Sequence, residues 1–108
     1  MGDLYKLITK AKARLPSVLI YKKKGFSSEQ IEAIEFGIKE GVDVSYYDDI
    51  DFNIAQMYEI RCGLEFNLHY KENPIDIESY ASIENDAGKM HKIRKELEKK
   101  SLKAYFGF

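Results

Sequence analysis

The stretch Phe26-Ser27-Ser28-Glu29-Gln30-Ile31 returns 26 residues later as Phe52-Asn53-Ile54-Ala55-Gln56-Met57. Each copy sets an aromatic residue before an N-cap, a glutamine at the third helical position and an apolar residue at the fourth. Ser27 and Asn53 are strong N-caps, and Gln30 and Gln56 complete capping boxes by reaching back to the cap backbone. Phe26 with Ile31, and Phe52 with Met57, form hydrophobic staples across the helix start. The sequence therefore predicts two helices that begin with one device.

The register extends outward. Ile34 meets Ile60, Gly37 meets Gly63, Ile38 meets Leu64 and Gly41 meets Asn67. A third copy follows at an offset of 33, where Met57 meets Met90, Ile60 meets Ile93, Arg61 meets Arg94, Leu64 meets Leu97 and Glu65 meets Glu98. The connectors repeat too: Val42-Asp43-Val44 lies over Ile75-Asp76-Ile77, and Tyr21, Tyr47 and Tyr80 share a column. The seven extra residues of the second period fall near Lys71-Glu72-Asn73-Pro74, a loop composition. Periods of this length belong to stacked helical arrays, in which each copy buries its apolar stripe against its neighbour.

Ile31, Ile34 and Ile38 recur at i, i+3 and i+7, as do Met57, Ile60, Leu64 and Met90, Ile93, Leu97. Gly37 and Gly63 stand inside helices, where each costs about 1 kcal/mol against alanine. Their shared register predicts close approach of another element. Gly41 and Asn67 suit the left-handed turn that ends a helix. The third copy keeps a cap in Asp86 but has Lys89 at the glutamine position, which predicts a weaker start. It has Lys100 at the Gly41 position, which predicts a helix running on towards Phe108. Ser17, Asp43 and Asp76 open the connectors as N-cap types and predict short second helices, with strand the alternative for Val18-Leu19-Ile20-Tyr21. An opening helix over 3–15 is closed by Pro16. The fold expected is all-α, one domain over 1–108. It would comprise three tandem repeats near 18–43, 44–76 and 77–108, each a long helix plus a short connector helix. An extra N-terminal helix precedes them and an extended C-terminal helix ends them.

The pattern running from Gln30 through Gly-Val-Asp-Val-Ser-x-Tyr (41–47) and Phe-Asn-x-x-Gln-Met-x-Glu-Ile-Arg-x-Gly-Leu-Glu (52–65) resembles a short helical repeat. That repeat occurs in poorly characterised proteins of Gram-positive gut bacteria and their phages and mobile elements. The resemblance covers about residues 17–100 and brings no catalytic residues. It implies a setting: accessory proteins of mobile DNA, a class that includes anti-CRISPR inhibitors. Lys89 and Glu96 depart from the pattern in the third copy.

The net charge of −1 conceals segregation. Residues 1–24 carry +6, residues 25–88 carry −12 and residues 89–108 carry +5. Fifteen carboxylates against three basic side chains in the middle segment predict a negative surface that steers partners. The competing reading is that the basic ends fold back and neutralise the middle. Lys6, Lys10 and Arg14 form one basic stripe, and Lys92, Lys95, Lys99 and Lys103 another. Each is either a solvated helix face or a contact for phosphates. The single cysteine, Cys62, permits no intrachain disulfide, no apolar run approaches a membrane span, and a cytoplasmic setting is expected.

Catalytic and metal chemistry find little purchase. Asp49-x-Asp51-x-Asn53 begins like a calcium loop, but Ile54 replaces the required glycine and Ile60 the final glutamate. His69 and His91 are isolated, and Cys62 shares a column with Phe36, which points to an apolar role. No cofactor and no enzymatic activity are expected. The reading is a protein-binding module with Tyr46, Asp48, Asp49, Asp51 and Tyr58 as contact residues. The alternative is a small nucleic-acid-binding regulator that uses the lysine stripes.

Overall fold

The computed structural model describes residues 18–107. The helix expected over 3–15, with Lys6, Lys10 and Arg14, lies outside the described residues. Among the described residues the fold is all-α, with no strand. Residues 18–23 are helical, so the strand alternative is not adopted. A helical turn puts Val18 and Tyr21, three apart, together on the core, while Leu19 and Ile20 stay exposed. There follow α1 (Ser28–Glu40), η1 (Val44–Tyr46), α2 (Ile54–His69), η2 (Ile77–Ser79) and α3 (Ala87–Phe106), where η marks a 3-10 turn. The connectors are helical as expected, but only one turn long.

Both capping boxes form. Ser27 Oγ accepts from the Gln30 N–H at 3.1 Å, and Gln30 Oε1 accepts from the Ser27 N–H at 2.9 Å. Asn53 and Gln56 repeat this at 2.8 Å each way. The staple residues Phe26, Ile31, Phe52 and Met57 are buried. α3 starts on Asp86 alone, which accepts from the Lys89 N–H at 2.7 Å. The glutamines also reach onward. Gln30 Nε2 donates to the carbonyls of Ile50 and Phe52 at 3.0 and 2.8 Å, and Gln56 Nε2 to those of Ile83 and Asn85 at 3.5 and 2.8 Å. Each amide thus ties the start of its own helix to the chain entering the next, and α2 packs against both α1 and α3.

The glycine column admits the connectors. Tyr47 Oη donates to the Ala33 carbonyl at 3.1 Å, and a Cβ on Gly37 would collide with that oxygen. Tyr80 Oη donates to the Glu59 carbonyl at 2.9 Å, and a Cβ on Gly63 would collide with it in the same way. Both tyrosines are fully buried.

α1 ends at Gly41 in the left-handed region, φ 84°, with the Val42 N–H donating to the Gly37 carbonyl. The stop expected at Asn67 is corrected: α2 runs on to His69. The Asn67 amide instead clamps Ile75, donating to its carbonyl at 3.0 Å and accepting from its N–H at 2.8 Å. Ile75 stands where Val42 does, so a side chain spans the inserted residues where main chain sufficed before. α3 ends at Gly107, φ 75°, close to the expected end. Ile34 and Ile60 are fully buried, but Ile93 is half-buried and Ile38 is 48% exposed.

Candidate interaction surfaces

The connector between α1 and α2 carries four of the five predicted contact residues. Its carboxylates shape the backbone before they face a partner. Asp43 Oδ1 accepts from the Ser45 hydroxyl at 2.6 Å and the Ser45 N–H at 3.1 Å, and these bonds hold its carboxyl below the usual range. Asp49 Oδ1 accepts from the Asp51 N–H at 2.9 Å. Asp48 is half-buried and accepts from the Tyr21 hydroxyl at 3.2 Å. Burial first, then the Asp48 charge, pushes the Tyr21 phenol up. Tyr46, Asp49 and Asp51 are exposed. The connector between α2 and α3 also exposes carboxylates, Asp76, Glu78 and Glu84, but Asp76 makes no side-chain cap bond, and a hydroxyl, Ser82 Oγ, accepts from the Glu84 N–H at 3.3 Å. Two apolar residues that the sequence reading passed over lie among these acids. Ile50 and Ile83 are 44% and 48% exposed at equivalent positions, each followed by an exposed carboxylate, Asp51 or Glu84. Their signal was an isoleucine outside the helical period in an otherwise polar stretch.

Tyr58 stands elsewhere. It lies about 140° around α2 from Gly63, which faces η2. The Arg61 guanidinium lies 5.3 Å from its ring and 4.4 Å from that of Phe36, a cation–π sandwich joining α1 to α2. Arg61 also pairs with Glu65 at 2.6 Å. The hydrogen bond between Tyr58 and Cys62 raises the Tyr58 pKa. Burial pushes the half-buried Cys62 thiol up, which makes it a poor nucleophile. Among the described residues no hydrogen bond or ion pair joins Tyr58 to Asp48, Asp49 or Asp51.

Between α2 and α3 lies a buried ionic cluster that sequence reasoning missed. Arg94 Nε donates to Glu59 Oε2 at 2.9 Å, and its Nη1 to Glu98 Oε2 at 2.6 Å. His91 Nδ1 stands 3.2 Å from Glu59 Oε1. The Arg94 and Glu59 side chains are only 8% and 10% exposed. Burial alone would lower the Arg94 pKa, but hydrogen bonds and charge from Glu98 and Glu59 outweigh it and raise it. The available signal was the i,i+4 pair Arg94–Glu98 in the register of Arg61–Glu65.

Lys92, Lys95, Lys99 and Lys103 are exposed along α3, and none pairs with a described carboxylate. Among the described residues no helix is long and apolar enough to cross a membrane. Comparison with protein-family models, with curated proteins and with solved structures finds no match.

Proposed function

We propose that this chain is a non-catalytic protein-binding module: three tandem helical repeats that present an acidic connector edge to a basic surface on another protein. The observation that carries the reading is the repeated, exposed Ile50-Asp51 and Ile83-Glu84 pair. An isoleucine beside a carboxylate offers an apolar contact and a steering charge together. The carbonyls of Ile50 and Ile83 are held by Gln30 and Gln56, so the edge is pre-organised and loses little entropy on docking. The excess of fifteen carboxylates over three basic side chains in residues 25–88 supplies the field. Such an edge suits the nucleic-acid channel of a host nuclease or polymerase. The resemblance to repeats of phage and mobile-element proteins makes inhibition of a host complex, such as a CRISPR nuclease, the concrete form, in the cytoplasm.

The test is association kinetics with the partner captured from host lysate. Asp49 and Asp48 hold local bonds, so Asp51→Lys with Glu84→Lys is the cleaner reversal, and Asp48→Lys, Asp49→Lys, Asp51→Lys the stronger one. Both should slow association and weaken binding, and the first should leave the thermal melt unchanged. Ile50→Ala should speed dissociation. Reversal of Lys92, Lys95 and Lys99 should matter less. The opposite ranking would refute the reading.

A further inference from the structure

Lys92 and Glu96 occupy on α3 the columns of Ala33 and Gly37 on α1 and of Glu59 and Gly63 on α2. On α1 and α2 those columns are covered by Tyr47 and Tyr80. On α3 both residues are exposed. Lys92, Lys95, Lys99, Lys103 and Phe106 follow one another at steps of 3, 4, 4 and 3 residues. That spacing keeps them on one face over about 21 Å of helix. The four lysines are exposed and Phe106 is 56% exposed, its ring edge-on to Tyr105 at 5.0 Å. Lys100 belongs to a separate small groove, which it lines together with Asp76. Glu96 is the acidic side chain nearest the stripe in sequence and register.

We infer that this face of α3 binds the phosphate backbone of single-stranded nucleic acid, with Phe106 as a stacking platform at its end. A protein partner is the poorer fit. Protein interfaces deplete lysine and place their apolar anchors centrally, whereas here lysines fill the stripe and the one aromatic stands at its end. A basic track with an aromatic beside it is the arrangement that follows a single strand, since every base has a face to stack and a duplex hides its own. Glu98 does not cancel the track, because Arg94 holds it at 2.6 Å. The inference stands apart from the acidic edge and uses different residues.

The test is fluorescence anisotropy of a labelled 15-mer of thymidylate, with a 15-base-pair duplex beside it, across a salt series. Four phosphate contacts predict a slope of log affinity on log salt of about −2.8. Each single Lys→Ala on the stripe should reduce that slope by about 0.7. Phe106→Ala should weaken the single strand several-fold, leave the slope unchanged and remove the preference over duplex. Glu96→Gln should tighten binding, a gain that misfolding cannot mimic. Binding that survives Lys92→Glu, Lys95→Glu and Lys99→Glu together overturns the inference. So does absence of binding at about 50 mM salt, or capture of polyglutamate in preference to the oligonucleotide.

Discussion

The Tyr80 hydroxyl fills the place that a Cβ on Gly63 would take, so α2 must expose bare backbone there. The ring cannot simply swing aside. Its hydroxyl is bonded to the Glu59 carbonyl and its body is fully buried, with Ile77 Cδ1 2.8 Å from the same point. Gly63→Ala gains about 1 kcal/mol of helix propensity but overpacks the site by about 1–3 kcal/mol. The expected net effect is destabilisation by about 1 kcal/mol in urea unfolding. Tyr80→Phe removes the clashing oxygen, so the double variant Gly63→Ala/Tyr80→Phe should be more stable than the sum of the single changes predicts. Strict additivity would show that the hydroxyl does not set the glycine.

Arg94 and Glu59 make the opposite kind of contact, polar and dry. Removing one partner leaves the other charge buried without its counter-charge, which costs about 3–5 kcal/mol. Arg94→Ala should therefore destabilise by about 3 kcal/mol or more. Glu59→Leu with Arg94→Leu should cost less, because the burial penalty of the two most buried ions goes with them and only Glu98, 13% exposed, is left without its partner. Chemical denaturation of the three proteins decides this. Equal losses for the single and double variants would show that the pair acts through packing alone.

The physical reasons for what the sequence revealed are local ones. Ser27, Gln30, Asn53 and Gln56 act within a single turn, so spacing alone disclosed the capping boxes. Gly37 and Gly63 disclosed a close neighbour because nothing else explains a repeated glycine in a helix. The end of α2 was misread because Asn67 serves by its side chain, on Ile75 eight residues away, and no local rule encodes that reach. The buried pair of Arg94 with Glu59 escapes local rules for the same reason, since the two are 35 residues apart. The candidate edge was half legible. Asp49 and Asp51 were visible as charge, while Ile50 and Ile83 became visible only once the helices had claimed the other apolar residues.

The buried tyrosines predict an alkaline limit to stability. Burial pushes the Tyr47 phenol up to about 12, with the Arg61 charge opposing and Glu65 adding a little, and burial pushes Tyr80 in the same direction. Both pKa values are raised on folding, so their contribution is fully present below about pH 10, the unfolded value, and is lost as pH rises through the folded value. Each phenol then subtracts up to about 1.4 kcal/mol per pH unit within that window. Urea unfolding should show stability falling between about pH 10 and the folded value of about 12. Tyr47→Phe should be less stable at about pH 8, having lost the bond to Ala33, yet show a shallower alkaline fall. An unchanged slope in that variant would assign the fall to other groups.

Gln56 offers a sharper test of how successive helices are joined. Its Oε1 accepts from the Asn53 N–H at 2.8 Å, and its Nε2 donates to the Asn85 carbonyl at 2.8 Å, with the residue only 5% exposed. Gln56→Glu keeps the shape and the capping acceptor but turns the donor into a second acceptor facing a carbonyl. An ionised carboxylate there is repelled and dry, whereas its protonated form restores a donor. The folded pKa of the introduced carboxyl must then rise above the ordinary glutamate value of about 4.3. A raised pKa means stability present in acid and lost as pH climbs through the folded value. The variant should therefore lose stability relative to the parent from about pH 4 upward, by about 2 kcal/mol or more at neutral pH. Gln30→Glu makes the same change at a more exposed site, where the Gln30 side chain is half-buried, and should lose less. Thermal melts of both variants at about pH 4 and about pH 7 measure the difference. A Gln56→Glu protein as stable as its parent at neutral pH would show that the onward bond to Asn85 contributes nothing to holding α2 and α3 together.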